Sequence, residues 1–160
     1  MDHLYAPWRE EYAKSLENSK SGCVFCHILN HPNEDEKNGV LFRGEGFFIV
    51  MNKYPYTPGH FMIVPDSHIA DLEDLDEKVW ADMGVYAKKG VKILKEALGA
   101  KGVNIGMNIG KAAGAGIAEH LHLHVLPRWM GDTNFITSIG EVRVYSVDFD
   151  RIYEKLKKFF

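Results

Sequence analysis

Three histidines alternate with apolar residues in the stretch "EHLHLHVLPRW" (119–129). Because alternate side chains of a β-strand point to opposite faces, this pattern predicts a strand over 120–127. One face would carry His120, His122 and His124, and the other would carry the apolar side chains. A slip by one residue would bury all three imidazoles, so packing of the apolar face fixes the register. We expect a rigid, solvent-facing row of imidazoles roughly 6–7 Å apart.

This row of histidines has three interpretations. A solvated strand face is the simplest, but it accounts poorly for three histidines in register. A metal centre would use the histidines as ligands, but the nearest acid downstream is Asp132, which lies beyond a proline-marked break. Nucleophilic catalysis fits better, because a neutral imidazole attacks phosphorus well and its neighbours can fix its tautomer and donate protons.

The loop before the histidines has a composition that suits an anion. In "GMNIGKAAGAG" (106–116), Gly114 and Gly116 lack a Cβ, so backbone N–H groups can approach a phosphate closely. The loop is neither a Walker A sequence nor a full dinucleotide-binding fingerprint. Together with three aligned histidines, it nevertheless indicates a phosphate-binding site.

The composition is typical of one globular domain. The chain has 160 residues, of which 46% are hydrophobic and 26% charged, and its formal net charge is −3. This charge gives no reason to expect a nucleic-acid or membrane partner, and no apolar run approaches the roughly 20 residues of a membrane span. Since the N-terminus also lacks the apolar core of a signal peptide, we expect a cytoplasmic protein.

Cys23 and Cys26 form a C-x-x-C pair in "SGCVFCHILNH". Disulfides are rare in reducing compartments, so the pair indicates half of a metal site or a redox pair. A thioredoxin-like redox motif would follow a strand, whereas the preceding "ENSKSG" is typical of a loop. We therefore interpret the pair as half of a zinc site whose other two ligands come from elsewhere.

The hydrophobic pattern predicts strands that cluster between helices. Strands are expected over 40–44, 46–52, 60–65, 102–110 and 120–127, with one or two more within 131–146. Helices are expected over 71–98, capped by Asp71, and over 147–160; residues 5–18 have a weaker helical pattern and 31–39 predict a loop. Clustered strands favour an α+β fold with an antiparallel sheet of about five strands, a long central helix and a C-terminal helix.

The resemblance to a known family rests on two stretches. "HLHLHVL" is similar to the signature of the histidine triad (HIT) family of nucleotide hydrolases and transferases. "FFIVMNKYPYTPGHFMIVPDSHIADL" (47–72) resembles the N-terminal half of the same family. The similarity runs from Cys23 to Asn134 and looks closest to the branch that contains diadenosine tetraphosphate phosphorylases. It implies a single HIT domain over 1–160, with an N-terminal extension (1–20), core motifs (21–134) and the C-terminal helix.

The resemblance implies roles for individual residues. His122 would attack the α-phosphorus of a nucleotide, forming a nucleotidyl-histidine that water or inorganic phosphate resolves. His124 would contact the phosphate and help the leaving group depart, and His60 would support the hydrogen-bond network of the triad. Asn52 matches the family's ribose-binding position, although asparagine is also common where strands end. Asn108 matches a polar position near the bridging oxygen.

The resemblance also implies a structural zinc ion and a homodimer, with no organic cofactor. In zinc-bearing relatives the C-x-x-C pair is completed by the Pro-x-x-His histidine and the first triad histidine. In this chain the set is Cys23, Cys26, His68 and His120. Two cysteines and two histidines suit a closed tetrahedral site.

The expected substrates are dinucleoside polyphosphates, and the sequence leaves hydrolysis and phosphorolysis both open. Many relatives carry Gln and then Ser or Thr where this chain has Gly116 and Ile117. Phosphate recognition would then depend on backbone N–H groups, including those of Gly114 and Gly116, or on Asn108. The alternatives are a nucleotide-binding protein with little catalysis, a purine nucleoside phosphoramidase, and a metalloenzyme that uses the triad as ligands.

Overall fold

The computed structural model describes residues 22–133 and 148–160. Within these residues the strands are β1 (Val40–Arg43), β2 (Phe47–Met51), β3 (Phe61–Pro65), β4 (Gly102–Gly106) and β5 (Leu123–Arg128). The α-helices are α1 (Val24–Asn30), α2 (Asp35–Asn38), α3 (Glu77–Leu98) and α4 (Phe149–Lys157). Single 3₁₀ turns lie at Pro32–Glu34, Leu72–Asp74 and Lys111–Ala113.

The strands form one antiparallel sheet in the order β1-β2-β3-β5-β4. β1 and β2 make the expected hairpin, and Gly46 in its turn has a φ of +84°, which glycine adopts without strain. β5 lies between β3 and β4, with Phe61 opposite Val125 and Gly106 opposite His124. The predicted α+β class, with a long helix and a C-terminal helix, is confirmed.

The sheet has an apolar core on each face. Phe47 of β2 packs in a larger core with α3 and α4, whereas its neighbour Phe48 packs in a smaller core with α1. Leu123 and Val125 of β5 belong to the larger core. Because side chains alternate along a strand, the histidines of this stretch lie on the α1 face. The apolar side of the histidine strand therefore packs against helices, as predicted.

The start of the long helix was predicted wrongly at Asp71. Residues Leu72–Asp74 form a separate 3₁₀ turn, and Leu75 then takes an extended conformation and is buried. Asp76 is the cap instead, because its side chain accepts the N–H of Val79 at 3.0 Å. Among the described residues, no helix has the length and apolar character needed to cross a membrane.

The histidine strand begins at Leu123, three residues later than predicted. The N–H of Leu121 donates to the carbonyl of Ile69 at 2.8 Å, and Nε2 of His120 donates to the carbonyl of Pro65 at 2.8 Å. Before Leu123, these contacts take the place of the backbone hydrogen bonds that pair β5 with β3. The first two histidines therefore lie on irregular backbone that leads into the strand.

Other predicted boundaries also shift. β3 begins one residue late, β4 ends at Gly106 instead of 110, and α4 is shorter than the predicted helix over 147–160. The sequence did not predict α1, because only Phe25 and Ile28 of its seven residues are buried and they define no clear period. The predicted loop over 31–39 contains α2. The helical pattern at 5–18 and the strands predicted after 133 lie outside the described residues.

Two glycines of α3 should respond oppositely to alanine. A Cβ at Gly84 would meet nothing within 4 Å, whereas a Cβ at Gly90 would lie 2.6 Å from Cζ of Phe61. Since alanine is favoured over glycine inside helices by about 0.5–1 kcal/mol, Gly84→Ala should raise the free energy of unfolding by about that amount. Gly90→Ala should lower it by about 1–3 kcal/mol, because the buried Phe61 ring must move. Urea unfolding measures both changes, and equal shifts would contradict this packing.

Candidate active site and metal centre

Seven rings lie in a row on the α1 side of the sheet. In order they are Tyr56, His60, His124, His122, Phe25, His120 and His68, with neighbouring centroids 4.8–5.3 Å apart. The three triad histidines are only 0–7% exposed. The expectation of a solvent-facing row was wrong, because α1 and the loop between β2 and β3 cover the imidazoles. Hydrogen bonds within this row assign the tautomer of each ring.

His122 presents a lone pair at Nε2. Its Nδ1 lies 2.9 Å from the carbonyl oxygen of His120, and a carbonyl can only accept, so Nδ1 carries the proton. The ring of Phe25 packs 5.2 Å away, centroid to centroid. Burial lowers the pKa of His122, which favours the neutral ring. A neutral ring with a bare Nε2 is the form of histidine that acts as a nucleophile.

His124 presents a proton at Nε2. The backbone N–H of Tyr56 donates to Nδ1 of His60 at 3.2 Å, so a neutral His60 carries its proton on Nε2. That proton is donated to Nδ1 of His124 at 2.9 Å. Nδ1 of His124 is therefore an acceptor, and its Nε2 carries the proton. His60 thus contacts the triad directly through Nδ1 of His124.

Burial keeps this pair of histidines neutral. Burial, followed by the proximity of His124 and His122, lowers the pKa of His60 to about 3. Burial, followed by the proximity of His122, lowers the pKa of His124 to about 4. The geometry agrees, because a protonated His60 would place an Nδ1–H against the N–H of Tyr56. Both rings are neutral near pH 7.

Cys23, Cys26, His68 and His120 place one ligand atom each within 4.8 Å of one another. Nδ1 of His120 lies 3.4 Å from Sγ of Cys23 and 3.7 Å from Sγ of Cys26, and Nδ1 of His68 lies 3.3 Å from Nδ1 of His120. Zinc bond lengths of about 2.0–2.3 Å give tetrahedral edges of roughly 3.3–3.7 Å. The three contacts of His120 with the other ligands therefore match the edges of a tetrahedral zinc site.

The tautomer of His120 also fits a metal ligand. Its Nε2–H donates to the carbonyl of Pro65 at 2.8 Å, so Nδ1 faces the sulfur atoms with its lone pair. Burial lowers the pKa of His120 and so favours the neutral form that binds metals. A carbonyl that orients the far ring nitrogen is the usual outer-shell partner of a metal-binding histidine.

The two candidate nucleotide-binding asparagines differ in their relation to this row. Oδ1 of Asn52 accepts the N–H of Tyr54 at 2.9 Å, so Asn52 does stabilise the turn after β2. Its Nδ2 also lies 3.5 Å from Nε2 of His60. Asn108 is half-buried, two residues beyond the end of β4. Gly106, the last residue of β4, pairs with His124, and Asn108 comes two residues after it.

The glycine loop differs from the expected phosphate cradle. The N–H of Gly114 donates to the carbonyl of Lys111 at 3.0 Å, and the N–H of Ala115 donates to the carbonyl of Gly110 at 3.3 Å. These two donors are therefore used within the loop. Gly116 is exposed, and the side chain of Ile117 packs against the smaller core. Ile117 thus serves as a packing residue at the position where many relatives carry a hydroxyl.

Two residues of the row were missed by the sequence analysis. Phe25 lies between His120 and His122, and Tyr56 lies against His60. Phe25 lies within the C-x-x-C pair, and Tyr56 lies in the stretch that leads to His60. An aromatic residue next to a predicted metal ligand or catalytic histidine was the sequence signal that could have identified both.

Comparisons with known proteins agree with this geometry. The HIT domain family matches residues 33–130. A relative from Mycobacterium tuberculosis named AP-4-A phosphorylase is 44% identical over 149 residues, which cover 90% of this chain and 76% of the relative.

Solved structures extend the likeness to the fold. A zinc-bound histidine triad family protein from Mycobacterium smegmatis has a TM-score of 0.70 at 31% identity, covering 89% of this chain and 94% of that protein. A hypothetical histidine triad nucleotide-binding protein from Sulfolobus tokodaii has a TM-score of 0.66 at 29% identity, covering 86% and 88%. The chain belongs to the histidine triad (HIT) family of nucleotide hydrolases and transferases.

Proposed function

We propose that this protein cleaves dinucleoside polyphosphates at the α-phosphate through a covalent nucleotidyl intermediate on His122. One observation carries the proposal: the ring of His122, with a bare Nε2, lies beside the ring of His124, with a protonated Nε2, and their centroids are 4.8 Å apart. The similarity to a protein named AP-4-A phosphorylase supports a substrate of the diadenosine tetraphosphate type.

In the first step, Nε2 of His122 attacks the α-phosphorus and an N–P bond forms. The bond from phosphorus to the bridging oxygen breaks, and its electron pair leaves with the remaining polyphosphate. His122 becomes cationic because it keeps the proton on Nδ1, and the carbonyl of His120 stabilises that charge. Nε2–H of His124 donates to the bridging oxygen as negative charge develops there.

In the second step, water or inorganic phosphate attacks the same phosphorus. The N–P bond breaks, and its electron pair returns to Nε2 of His122. Attack by water yields a mononucleotide and releases a proton to solvent, whereas attack by phosphate yields a nucleoside diphosphate. The two outcomes differ only in which of these nucleophiles reaches the intermediate.

The nucleotide would be held by groups on both sides of the triad. We propose that Asn52 binds the ribose and that Asn108 lies near the bridging oxygen. The N–H of Gly114 is used inside its loop, so phosphate binding by that group requires the loop to rearrange on binding. We propose that the exposed Gly116 contributes its own N–H to the phosphate. Ile117 contributes no hydroxyl, so we assign the polar side-chain contact from the end of β4 to Asn108.

We propose that Cys23, Cys26, His68 and His120 hold a structural zinc ion. When bound, zinc would cross-link α1, the segment after β3 and the triad. Burial raises the pKa of the Cys26 thiol, and the neighbouring Cys23 raises it further, so two thiolates at this place require a cation. Both cysteines are free, which suits the cytoplasmic location that we propose.

We also propose a homodimer that forms through β4. This strand is an edge of the sheet, so one side of its backbone has no partner strand among the described residues. Ile105 on β4 is 48% exposed and Ile109 just after it is 39% exposed. An exposed apolar edge strand is a template for pairing with another chain.

A nucleotide-binding protein with little turnover is the second candidate function. The packing of Ile117 against the smaller core favours it, because this position supplies no hydroxyl to the phosphate. The intact donor and lone pair of the triad favour catalysis.

Replacement of His122 by glutamine should abolish the covalent step. We expect turnover of diadenosine tetraphosphate to fall by roughly 10³-fold or more, because the nucleophile is lost. Glutamine limits the cavity at this buried site, and His31→Ala, at an exposed histidine, is the matched control. Wild type quenched in alkaline denaturant should carry label from an α-³²P substrate, because a histidine N–P bond survives base and is hydrolysed in acid, and His122→Gln should carry none. Equal labelling of both would exclude His122 as the nucleophile.

Analysis of the products formed from diadenosine tetraphosphate separates phosphorolysis, hydrolysis and binding without turnover. ADP and ATP formed only with inorganic phosphate would identify a phosphorylase, and AMP and ATP formed without it would identify a hydrolase. Tight nucleotide binding without products would instead establish the second candidate.

Zinc content should depend on the Cys₂His₂ set and not on the other two triad histidines. We expect about one zinc per chain in the wild type and a marked loss in Cys26→Ser, with a lower urea midpoint. His124→Gln should retain the metal, because His124 is bonded to His60 on the far side of His122. Elemental analysis after dialysis measures this. Loss of zinc in His124→Gln would place the metal at the triad instead.

Acid should destabilise the fold through the neutral histidine pair. The pKa values of His60 and His124 are about 3 and about 4 in the folded state and about 6.5 when unfolded. As pH falls below 6.5 the unfolded chain binds protons first, so the free energy of unfolding falls. The loss approaches about 1.4 kcal/mol per pH unit for each histidine down to about pH 4.

Urea unfolding of wild type and His124→Gln between pH 7 and pH 4.5 tests this expectation. In the variant, the free energy of unfolding should depend less steeply on pH, by the contribution of about one proton, because one buried histidine is gone. The zinc ligands are present in both proteins, so their contribution cancels in the difference. Parallel pH curves would show that burial does not hold His124 neutral.

A further inference from the structure

Tyr56 is half in solvent, although it packs directly on two buried histidines. Its ring centroid lies 4.8 Å from that of His60, with an interplanar angle of 31°, and 5.8 Å from that of His124. The residue is 50% exposed, whereas His60 is fully buried. One face of the tyrosine ring therefore covers the histidine pair, and the other face is open.

The loop around Tyr56 is fixed at several points. The N–H of Tyr54 donates to Oδ1 of Asn52, and the hydroxyl of Thr57 donates to the carbonyl of Pro127 at 3.0 Å. The N–H of Tyr56 itself is bonded to His60. These bonds hold the backbone through groups other than the Tyr56 side chain. The ring is thus presented from a preorganised loop, and its replacement leaves the backbone donor to His60 in place.

Tyr56 lies on one particular side of the nucleophile. His122 has Phe25 on one side and His124 on the other, and the row continues from His124 through His60 to Tyr56. In the proposed reaction, Nε2–H of His124 meets the oxygen that leaves. The leaving group therefore departs on the side of His124, where the open ring of Tyr56 lies.

We propose that the open face of Tyr56 binds the departing nucleotide by stacking on its base. The inference rests on the proposed function and makes Tyr56 a specificity residue for substrates with a second nucleoside. A flexible polyphosphate lets the second base reach the ring, and any base can stack because every base has a π-face. Stacking on an aromatic side chain contributes to binding without taking part in the bond changes, so its loss should mainly raise KM.

The test compares two substrates that differ only in the second nucleoside: diadenosine tetraphosphate and adenosine 5′-tetraphosphate. Tyr56→Leu should lower kcat/KM for the dinucleotide relative to the mononucleotide by roughly 5- to 150-fold, the range for one stacked base. Tyr56→Phe should retain the wild-type ratio, because it keeps the ring. Trp80→Leu, at an exposed aromatic of α3 on the other face of the sheet, should also retain it.

Binding measurements give a second readout that does not require turnover. In the His122→Gln background, calorimetry should show that Tyr56→Leu weakens binding of diadenosine tetraphosphate selectively. An equal loss for both nucleotides would overturn the inference, because it would show that the ring only shields the histidine pair. An unchanged ratio of kcat/KM would also overturn it. Wild type that cleaves neither nucleotide would overturn the proposed function itself, and this inference with it.

Discussion

The site depends on the hydrogen bond from Nδ1 of His122 to the carbonyl of His120, 2.9 Å long. This bond assigns the tautomer that exposes a lone pair at Nε2 of His122. It is available because the ladder between β3 and β5 begins only at Leu123, so the chain before it is free to bend towards the ring of His122. His120 is itself held at both ring nitrogens, by Pro65 and by the cysteine cluster. A residue held at both ring nitrogens therefore orients the ring of the proposed nucleophile.

The apolar side of the same stretch makes this arrangement possible. Leu121, Leu123 and Val125 are buried in the larger core with α3 and α4. A shift by one residue would place them against α1 and move the imidazoles into that apolar core, which is costly for polar groups. Packing on one face of the sheet thus fixes the positions of the hydrogen-bonding groups on the other, where small errors matter most.

Much of the fold and of the candidate site could be predicted from sequence, because both rest on residue type and spacing. The alternation of histidine with apolar residues predicted that the histidines share one face. The resemblance of the motifs predicted that Cys23 and His68, which are 45 residues apart in sequence, belong to one ligand set. The burial of the row could not be predicted, because α1 is a short helix with only two buried side chains. The cap at Asp76 was missed because Asp71 offered the same signal at a nearby position. Tautomers were also beyond sequence, since they depend on individual backbone groups.

The polarity of the site is set by the backbone at both ends. The backbone N–H of Tyr56 donates to Nδ1 of His60, so His60 carries its proton on Nε2 and donates it to Nδ1 of His124. His124 therefore carries its own proton on Nε2. A carbonyl, that of His120, accepts from His122 and leaves a lone pair at its Nε2. Backbone groups do not titrate, so these tautomers of His60, His124 and His122 need no charged partner. They are preserved as long as the rings stay neutral, and burial has that effect because it penalises the imidazolium form. Neighbouring rings therefore carry a lone pair on His122 and a hydrogen-bond donor on His124 in the unliganded protein, which is the arrangement that the proposed reaction requires.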